Sequence, residues 1–515
     1  MSAPREIELK LECDGPDLAA LASHPLLQGE GTAEHVTSTY FDTAGRDLRA
    51  AGLTLRVRRQ GDRRVQTVKA GFGEGAALFD RSEWESEIAG DRPDVSALAG
   101  TPVARLLDKA GSPDLEPQFS SVVMRTARSV SHGTARIGAT LDEGRIETPQ
   151  GDAPLCELEL ELEAGDPADL FAMAQSLAET VSLRLGVQSK SERGFARLED
   201  RWRRPSKAGA VVLPEEATAA QAFRLVAQAC LRHLRFNEAV FLAGRDPEAL
   251  HQIRVALRRL RSAFSLFKPI LAQDPRSDSL RDEIKRVTEP FGRARNLDVF
   301  LETTLPAEIA RRPDEPGLQD LRERLVAERD RAHDAVLATL ASPEWRSLLL
   351  DLVTWIETGP WLSLAAPPER DASARSFAAQ VLERFRRRVK RRGRHLARLD
   401  PEARHRVRIA AKKLRYGADF FASLYPAKKA RKRHKAFASA LSDLQDHLGA
   451  LNDLATAHAV MAGLADGEAG GRPASGAALF AAGLTAADGE ARTDALLEAA
   501  AEAHEDLIDV KPFWR

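Results

Sequence analysis

The feature that most constrains the fold of this chain is a strict alternation of charged and apolar residues in short segments. In CELELELE, glutamates alternate with Leu158, Leu160 and Leu162. Alternate side chains of a β-strand point to opposite faces, so this segment predicts a strand with one apolar face and one wholly acidic face. The acidic residues are Glu157, Glu159, Glu161 and Glu163.

Five further segments before Trp202 alternate in the same way, namely EIELKLE, LTLRVRR, RSEWESEI, VVMRTARSV and RIGATLD. The turn-rich stretches KAGFGEG and DEGRIETPQGD are expected to separate strands. Short helices are expected near residues 17–22, 102–109 and 167–183. The pattern predicts an antiparallel α+β domain, and so many strands favour closure into a barrel with flanking helices.

The charged faces are largely segregated by sign. Glu6, Glu8 and Lys10 share one face of the first segment, and Arg56 and Arg58 share a face of LTLRVRR. A solvated outer surface is one interpretation, but such surfaces normally mix signs because neighbouring like charges repel. The alternative is a barrel with an inward-facing charged surface. Its carboxylates would require cations such as Mg²⁺, and its Arg and Lys side chains would bind a polyphosphate chain.

Composition indicates a soluble globular protein of two to four domains: the chain has 515 residues, 43% hydrophobic and 29% charged. We expect a cytoplasmic location, because no apolar run approaches the ~20 residues that cross a bilayer and the first ten residues lack the apolar core of a signal peptide. Cys13, Cys156 and Cys230 have no paired spacing, so they are expected to be isolated, buried thiols.

Beyond a linker at residues 204–213 the periodicity is helical. DPEALHQIRVALRRLR, from Asp246, and DPEARHRVRIAAKKLR, from Asp400, are similar, and each is followed by a weaker repeat, FGRARNLD or LGALNDLA. A duplicated helical unit is therefore expected. We predict domains at residues 1–203 and 214–510, the latter divided at about residue 370, with a flexible interruption at residues 462–476.

Each repeat places a row of cationic residues on one helix face and apolar residues, such as Ile253 and Val407, on the opposite face. The rows are His251, Arg254, Arg258 and Arg261 in the first copy, and His405, Arg408, Lys412 and Arg415 in the second. A solvated basic face is the simpler interpretation, and duplication could copy an unimportant surface. The basic run FRRRVKRRGRH makes the second half more cationic and would either extend a polyanion path or contact nucleic acid nonspecifically.

The first 203 residues resemble the CYTH family, the triphosphate tunnel metalloenzymes. The matching pieces, in order, are E-x-E-x-K at Glu6, YFDT at Tyr40, the pair Arg56 and Arg58, Lys69 in TVKAG, Arg125, Asp142 in LDEG, ELELE at Glu157, and Lys190 in SKSERG. The resemblance implies an eight-stranded antiparallel tunnel that hydrolyses or rearranges triphosphates with Mg²⁺ or Mn²⁺.

The resemblance also implies roles for individual residues. Metal would be held, directly or through water, by Glu6, Glu8, Asp142, Glu157, Glu159 and Glu161. The phosphate chain would be bound by Lys10, Arg56, Arg58, Lys69, Arg125 and Lys190. The expected catalytic residues are Glu6, Glu8, Lys10 and Lys69. No side-chain nucleophile is required if metal ions polarise the phosphoryl group and activate water.

The helical repeats resemble the CHAD domain, named for its conserved histidines and α-helices, which is associated with binding of inorganic polyphosphate. We therefore expect a metal-dependent triphosphatase that cleaves tripolyphosphate to pyrophosphate and phosphate, fused to a module that binds long-chain polyphosphate. The alternatives are a noncatalytic polyphosphate-binding or granule-associated protein, a triphosphatase for thiamine triphosphate or nucleotides, and a nonspecific nucleic-acid-binding protein. Neither a membrane nor a specific nucleic acid is an expected partner.

Overall fold

The computed structural model describes residues 5–71, 75, 78–111, 113–363, 368–465 and 475–515. It divides the chain into two compact units, one formed by Met1–Arg204 with Pro343–Gly359 and the other by Pro205–Ser342 with Pro360–Arg515. We call them the barrel unit and the helical unit. Most of the interruption expected at residues 462–476, and part of KAGFGEG, lies outside the described residues.

The barrel unit is built on antiparallel strands. They are β1 (Arg5–Glu12), β2 (Gly31–Asp42), β3 (Leu53–Gln60), β4 (Arg63–Ala70), β5 (Leu78–Glu87), β6 (Glu116–His132), β7 (Ala135–Glu147), β8 (Ala153–Ala164) and β9 (Arg184–Leu185). Their order is β5-β4-β3-β2-β6-β7-β8-β1-β9, and pairing of β1 with β5 closes the first eight into a barrel. The predicted fold class is confirmed.

The alternating segments point their charged faces into this barrel. Glu8 of β1 lies opposite Glu161 of β8, and Lys10 lies opposite Glu159. The apolar residues between them face outward and are buried. Leu9, Leu158 and Leu160, for example, are each 0% exposed. Because the hydrophobic surface lies outside the barrel, the interior is available to charged side chains.

Helices cover the outer apolar surface of the barrel. They are α1 (Gly15–Ala22), α2 (Asp47–Ala50), α3 (Pro102–Lys109), α4 (Pro167–Ala178), α5 (Lys190–Leu198) and α13 (Pro343–Thr358). Helix α3 contributes Val103 and Leu107 to a core that includes Leu55 and Val57 of β3. Helix α13 lies within the predicted helical domain of the sequence, but it belongs to the barrel unit. Its Asp351 accepts a hydrogen bond from Gln175 of α4 at 2.9 Å.

Three local predictions in this unit were wrong. DEGRIE continues strand β7 to Glu147, because its backbone pairs with both β6 and β8, so the turn is shorter than expected. Strands β2 and β4 were not predicted as strands. Helix α4 ends at Ala178, before the predicted end at residue 183.

The helical unit contains the following helices: α6 (Ala219–Gly244), α7 (Pro247–Leu266), α8 (Lys268–Leu271), α9 (Arg276–Val287), α10 (Pro290–Val299), α11 (Leu305–Arg311), α12 (Pro316–Ala341), α14 (Ala374–Arg392), α15 (Pro401–Phe420), α16 (Lys428–Ala465), α17 (Gly476–Glu490) and α18 (Thr493–Asp509). Residues 204–214 before them form neither helix nor strand.

The repeated DPEA sequences start equivalent helices. Asp246 accepts a hydrogen bond from the Ala249 amide at 3.0 Å, and Asp400 does the same for the Ala403 amide at 2.8 Å. Each aspartate is an N-cap followed by proline in the first turn, an arrangement that favours helix initiation. The apolar faces predicted opposite the cationic rows are buried, so α7 and α15 are both amphipathic helices packed on the core of this unit.

Candidate functional site

The barrel interior is a charged cavity of about 510 Å³. Ten of the predicted site residues line it, namely Glu6, Glu8, Lys10, Arg56, Arg58, Lys69, Arg125, Glu159, Glu161 and Lys190. The other two, Asp142 and Glu157, are fully buried behind this lining and contact its cations. The structure therefore brings all twelve residues together in or directly behind one cavity of the barrel unit.

Three acids and three bases form an inner cluster, consisting of Asp142, Glu157, Glu159, Lys10, Lys190 and Arg125. Lys190 Nζ lies 2.8 Å from oxygens of both Asp142 and Glu159. Arg125 binds Asp142 in a bidentate manner, at 2.8 and 2.6 Å. Burial disfavours the Glu159 carboxylate, but the charges of Lys10 and Lys190 outweigh it and hold the pKa of Glu159 well below its usual value. The Glu159 carboxylate is therefore held in its ionised form.

A second group of acids is less completely neutralised. Lys69 Nζ lies 2.9 and 2.8 Å from the two oxygens of Glu6, and Arg81 lies 3.3 Å from Glu6 and 3.5 Å from Glu8. Glu161 faces both acids. Burial, followed by repulsion from Glu6 and Glu8, raises the pKa of Glu161 to about 7. Among the described residues Glu161 forms no ion pair, so a divalent cation beside it would relieve its repulsion from Glu6 and Glu8.

Two groups of carboxylates could therefore hold a metal ion. Oxygens of Asp142, Glu157 and Glu159 lie within 4.8 Å of one another. Lys10 and Lys190 already contact these acids, and Lys69, Arg81 and Lys10 contact Glu6 or Glu8. We favour Glu6, Glu8 and Glu161, because Glu161 forms no ion pair among the described residues.

The donor chemistry also fits a hard divalent ion. Carboxylate oxygens are the ligands that Mg²⁺ and Mn²⁺ prefer. Within the described part of the chain, Glu8 Oε1 is buried and makes no hydrogen bond, but it lies 3.3 Å from Lys10 Nζ. A divalent cation bound to this oxygen would therefore compete with the Lys10 ammonium group.

The opposite wall is cationic. Arg56 lies 3.8 Å from Glu83, and Arg58 lies 3.1 Å from Glu85, which also accepts a hydrogen bond from Thr67. These strand-borne guanidinium groups are side by side on β3, since residues two apart share a face. They provide a rigid surface that suits phosphate oxygens.

The selection of site residues from the sequence missed several that the structure places here. Arg81 and Glu83 both line the cavity. The alternation of RSEWESEI places them on the same charged face, and this signal could have identified them. Arg193 contacts Glu12 at 2.5 Å and Glu157 at 3.3 Å, and so supports the inner cluster from α5. Its position three residues after Lys190, on the same helix face, was the available signal.

The helical unit gathers cations from both repeats into what we call the first cationic cluster. It consists of Arg254, Arg258, Arg295, Arg408 and Lys412, together with the nearby side chains of His251 and Asp453. Burial, followed by repulsion from Arg258 and Arg408, lowers the pKa of Lys412 to about 7. Burial and the charge of Arg258 likewise lower the pKa of Arg254 to about 10. Among the described residues, neither Arg254, Arg258 nor Lys412 forms an ion pair.

The two predicted rows do not remain continuous. Arg261 belongs to a second cationic cluster, with Arg281, Arg388, Arg392 and Lys413. Burial, followed by repulsion from the four arginines, lowers the pKa of Lys413. Arg415 instead donates a hydrogen bond to Gln445 at 3.4 Å. His405 is exposed beside a separate cavity of about 360 Å³ that Arg408 also lines. The rows are therefore divided among several surfaces of this unit.

The two histidines of the rows have different surroundings. Burial, followed by repulsion from Arg295, lowers the pKa of His251 to about 4, so this imidazole is neutral at pH 7. A neutral ring can donate one hydrogen bond to an anion without adding to the repulsion among the arginines.

Comparisons with known proteins agree with this two-part organisation. A CYTH domain model matches residues 4–195, and a CHAD domain model matches residues 225–462. No helix of the described residues is both long and apolar enough to cross a membrane.

Individual relatives match parts of the chain. The inorganic triphosphatase of Haemophilus influenzae is 28% identical over 196 residues, which are 37% of this chain. The match spans 54% of that protein, about half its length. PptA from Streptomyces chartreusis is 18% identical and covers 56% of this chain and 100% of its own, but its TM-score of 0.42 is too low to support a conclusion.

The structural match to the CHAD domain from the plant Ricinus communis is stronger. It has 33% sequence identity and a TM-score of 0.51, and it covers 59% of this chain and 96% of the plant domain. Residues 4–195 of this chain therefore form a CYTH domain and residues 225–462 a CHAD domain, and the chain belongs to both families.

Proposed function

We propose that the barrel unit is a metal-dependent inorganic triphosphatase that hydrolyses tripolyphosphate to pyrophosphate and phosphate. The observation that carries this proposal is the presence of a group of three glutamates and a pair of strand-borne arginines in one cavity. The acids suit divalent ions and the arginines suit phosphate oxygens. Similarity to an inorganic triphosphatase supports the same reaction class.

The proposed roles follow from the positions of the side chains. Glu6, Glu8 and Glu161 would hold Mg²⁺ or Mn²⁺, which when bound polarises phosphoryl oxygens and lowers the pKa of a bound water. Arg56 and Arg58 would bind the phosphate chain from the facing wall. Lys69 and Arg81, now paired with Glu6, would turn to phosphate oxygens once the metal takes over their carboxylate partners.

The inner cluster has a positioning role in this proposal. Lys10 and Lys190 are held by buried carboxylates, so their ammonium groups are fixed at the inner end of the cavity. Fixed cations stabilise the charge that develops on a leaving phosphate without any rearrangement during the reaction. Asp142 and Glu157 would act mainly as anchors of these cations. If they also ligate metal, as the sequence suggested, an ammonium group must first be displaced.

The lining favours an inorganic substrate over a nucleotide or thiamine triphosphate. Among the described lining residues Tyr40 is the only aromatic one, and it is 3% exposed and stacked on Phe119 with ring centroids 4.7 Å apart. It therefore offers little surface to a base or thiazole ring. The remaining described side chains that line the cavity are charged or bear hydroxyl groups.

For the helical unit we propose binding of long-chain polyphosphate. The first cationic cluster combines partial burial with mutual repulsion, so an anion that neutralises it gains favourable interactions with several cations at once. The second cationic cluster would extend the path through Arg388 and Arg392 of the basic run. A flexible polyanion can follow such a surface without sequence recognition.

Phosphate release from tripolyphosphate, ATP and thiamine triphosphate, each with and without Mg²⁺, tests the proposed activity. We expect the fastest release from tripolyphosphate, and only with metal. Glu6→Gln combined with Glu8→Gln should abolish release and weaken Mn²⁺ binding measured by calorimetry. Glu163→Gln is the matched control, since this exposed residue of β8 pairs with Arg136 outside the cavity. Unchanged turnover in the double variant would refute the metal assignment.

Binding of labelled polyphosphate tests the second part. Arg254→Gln combined with Arg258→Gln should weaken binding at least tenfold, whereas Arg406→Gln, at an exposed position of α15, should leave it unchanged. Tight polyphosphate binding without release from any triphosphate would instead support the noncatalytic, granule-associated alternative.

A further inference from the structure

Two cysteines that are far apart in the sequence meet in the barrel unit. The Sγ atoms of Cys13 and Cys156 lie 3.7 Å apart, and the Cys13 amide donates a hydrogen bond to the Cys156 carbonyl at 3.3 Å. Both side chains are partly exposed, so the prediction of isolated, buried thiols was wrong for them. It holds for Cys230, which is 1% exposed.

The strand register explains this proximity. In the β1–β8 ladder Leu11 pairs with Leu158 and Glu12 pairs with Glu157, so Cys13 and Cys156 are the next opposed pair. Opposed residues of an antiparallel pair that share such a hydrogen bond have Cα atoms about 5.5 Å apart, within the range of disulfide bonds. The sulfurs lie on the outer face of the sheet, beside the first turn of α1, and not inside the cavity.

We propose that Cys13 and Cys156 are a redox-modification site that reacts with two-electron thiol oxidants, such as peroxides, to form an intramolecular disulfide. This proposal is independent of the proposed triphosphatase activity. The chemistry needs no group beyond the two thiols and the oxidant.

The 3.7 Å separation of the sulfurs lets either thiol react first and the other complete the disulfide. The thiolate of the first cysteine attacks a peroxide oxygen, breaks the O–O bond and becomes a sulfenic acid, with release of hydroxide. The sulfur of the second cysteine, losing its proton, then attacks the sulfenic acid sulfur and expels a second hydroxide. Two thiols and one hydrogen peroxide thus give one disulfide and two waters.

The disulfide would join the end of β1 to the start of β8. Its neighbours in the sequence are Glu12 and Glu157, both of which contact Arg193. Oxidation would therefore prevent separation of these strands next to the inner cluster, and it would close a long loop of chain in the unfolded state. Both effects favour the folded barrel.

The test is oxidation of the full chain with hydrogen peroxide, alkylation of the remaining thiols after denaturation, and peptide mass spectrometry. We expect two of the three thiols to be lost together, a Cys13–Cys156 cross-linked peptide, recovery with dithiothreitol, and a melting temperature that rises by several degrees on oxidation. Cys230→Ser should keep all four properties. Cys13→Ser and Cys156→Ser should each lose the cross-link and the rise.

Either of two results would overturn the proposal. One is retention of three free thiols after oxidation of the folded chain. The other is oxidation that yields only sulfinic acids or links between separate chains. Because the wild-type cross-link is read directly, the outcome does not depend on whether a variant folds.

Discussion

Replacement of Lys412 by methionine should stabilise the helical unit while weakening polyphosphate binding. Lys412 is partly buried among Arg258 and Arg408, and its pKa falls from 10.5 to about 7. At about 1.4 kcal/mol per tenfold change, this difference corresponds to a penalty of roughly 5 kcal/mol. Partial access of solvent reduces that figure, and we expect a gain of about 2 kcal/mol at neutral pH. Methionine keeps the length of the side chain and removes the charge.

The pH dependence gives this prediction its sign. Between about pH 7 and pH 10.5 the unfolded chain holds a proton on Lys412 that the folded chain has lost. Wild-type stability therefore rises with pH across this window relative to the methionine variant, so the advantage of the variant should be largest near pH 7 and small near pH 10.5.

Urea denaturation of the full chain measures this difference. Unfolding is followed by circular dichroism, because the helical unit dominates the helix signal. Lys429→Met, at an exposed lysine at the start of α16, is the matched control and should change stability by less than about 0.5 kcal/mol. Labelled polyphosphate should bind Lys412→Met more weakly and Lys429→Met normally. A destabilised Lys412→Met variant with unchanged binding would show that Lys412 has a structural partner and is not a repelled cation.

Three further predictions concern the barrel unit. Arg125→Gln should destabilise it by about 3 kcal/mol in thermal or chemical denaturation, because buried Asp142 loses a bidentate partner. The control Arg136→Gln removes an exposed ion pair and should change stability by less than about 1 kcal/mol. Leu160→Ala should cost about 2 to 5 kcal/mol in the same assay, since this outward-facing side chain is 0% exposed; a smaller effect would mean that the outer apolar layer can collapse around the deletion. Excess EDTA should abolish tripolyphosphate hydrolysis, measured as released phosphate, without reducing polyphosphate binding; loss of both would indicate that the helical unit also needs metal.

The sequence predicted which face of each strand is charged but not how deeply each charge lies. In the sequence of β8, the alternation gives no way to distinguish its four glutamates from one another. In the structure, however, Glu157 is fully buried behind the lining, Glu161 faces the cavity and Glu163 is exposed beside Arg136. Depth along a strand depends on which strands and helices stand opposite it. Some of those pairings, such as Glu8 with Glu161, join residues more than a hundred positions apart, and a local pattern carries no record of them.

The helical unit shows the same limit. A helical period of 3.6 residues correctly placed the apolar faces of α7 and α15 in the core. It could not show that Arg295 of α10 would join the first cationic cluster, or that Arg261 would lie with Lys413 and Arg388. These groupings arise where helices pack together. The Cys13–Cys156 pair was missed for the same reason, because it depends on the β1–β8 register.

The two units concentrate charge in physically different ways. In the barrel, acids and bases pair with one another, and among Glu6, Glu8 and Glu161 only Glu161 lacks an ion pair within the described residues. If this group holds a divalent cation as proposed, the cation would free Lys69 and Arg81 for an anionic substrate. In the first cationic cluster the excess is already positive, and burial raises the free energy of each unneutralised cation. A polyanion relieves that repulsion directly. The same class of ligand should therefore bind one unit only with metal and the other without it.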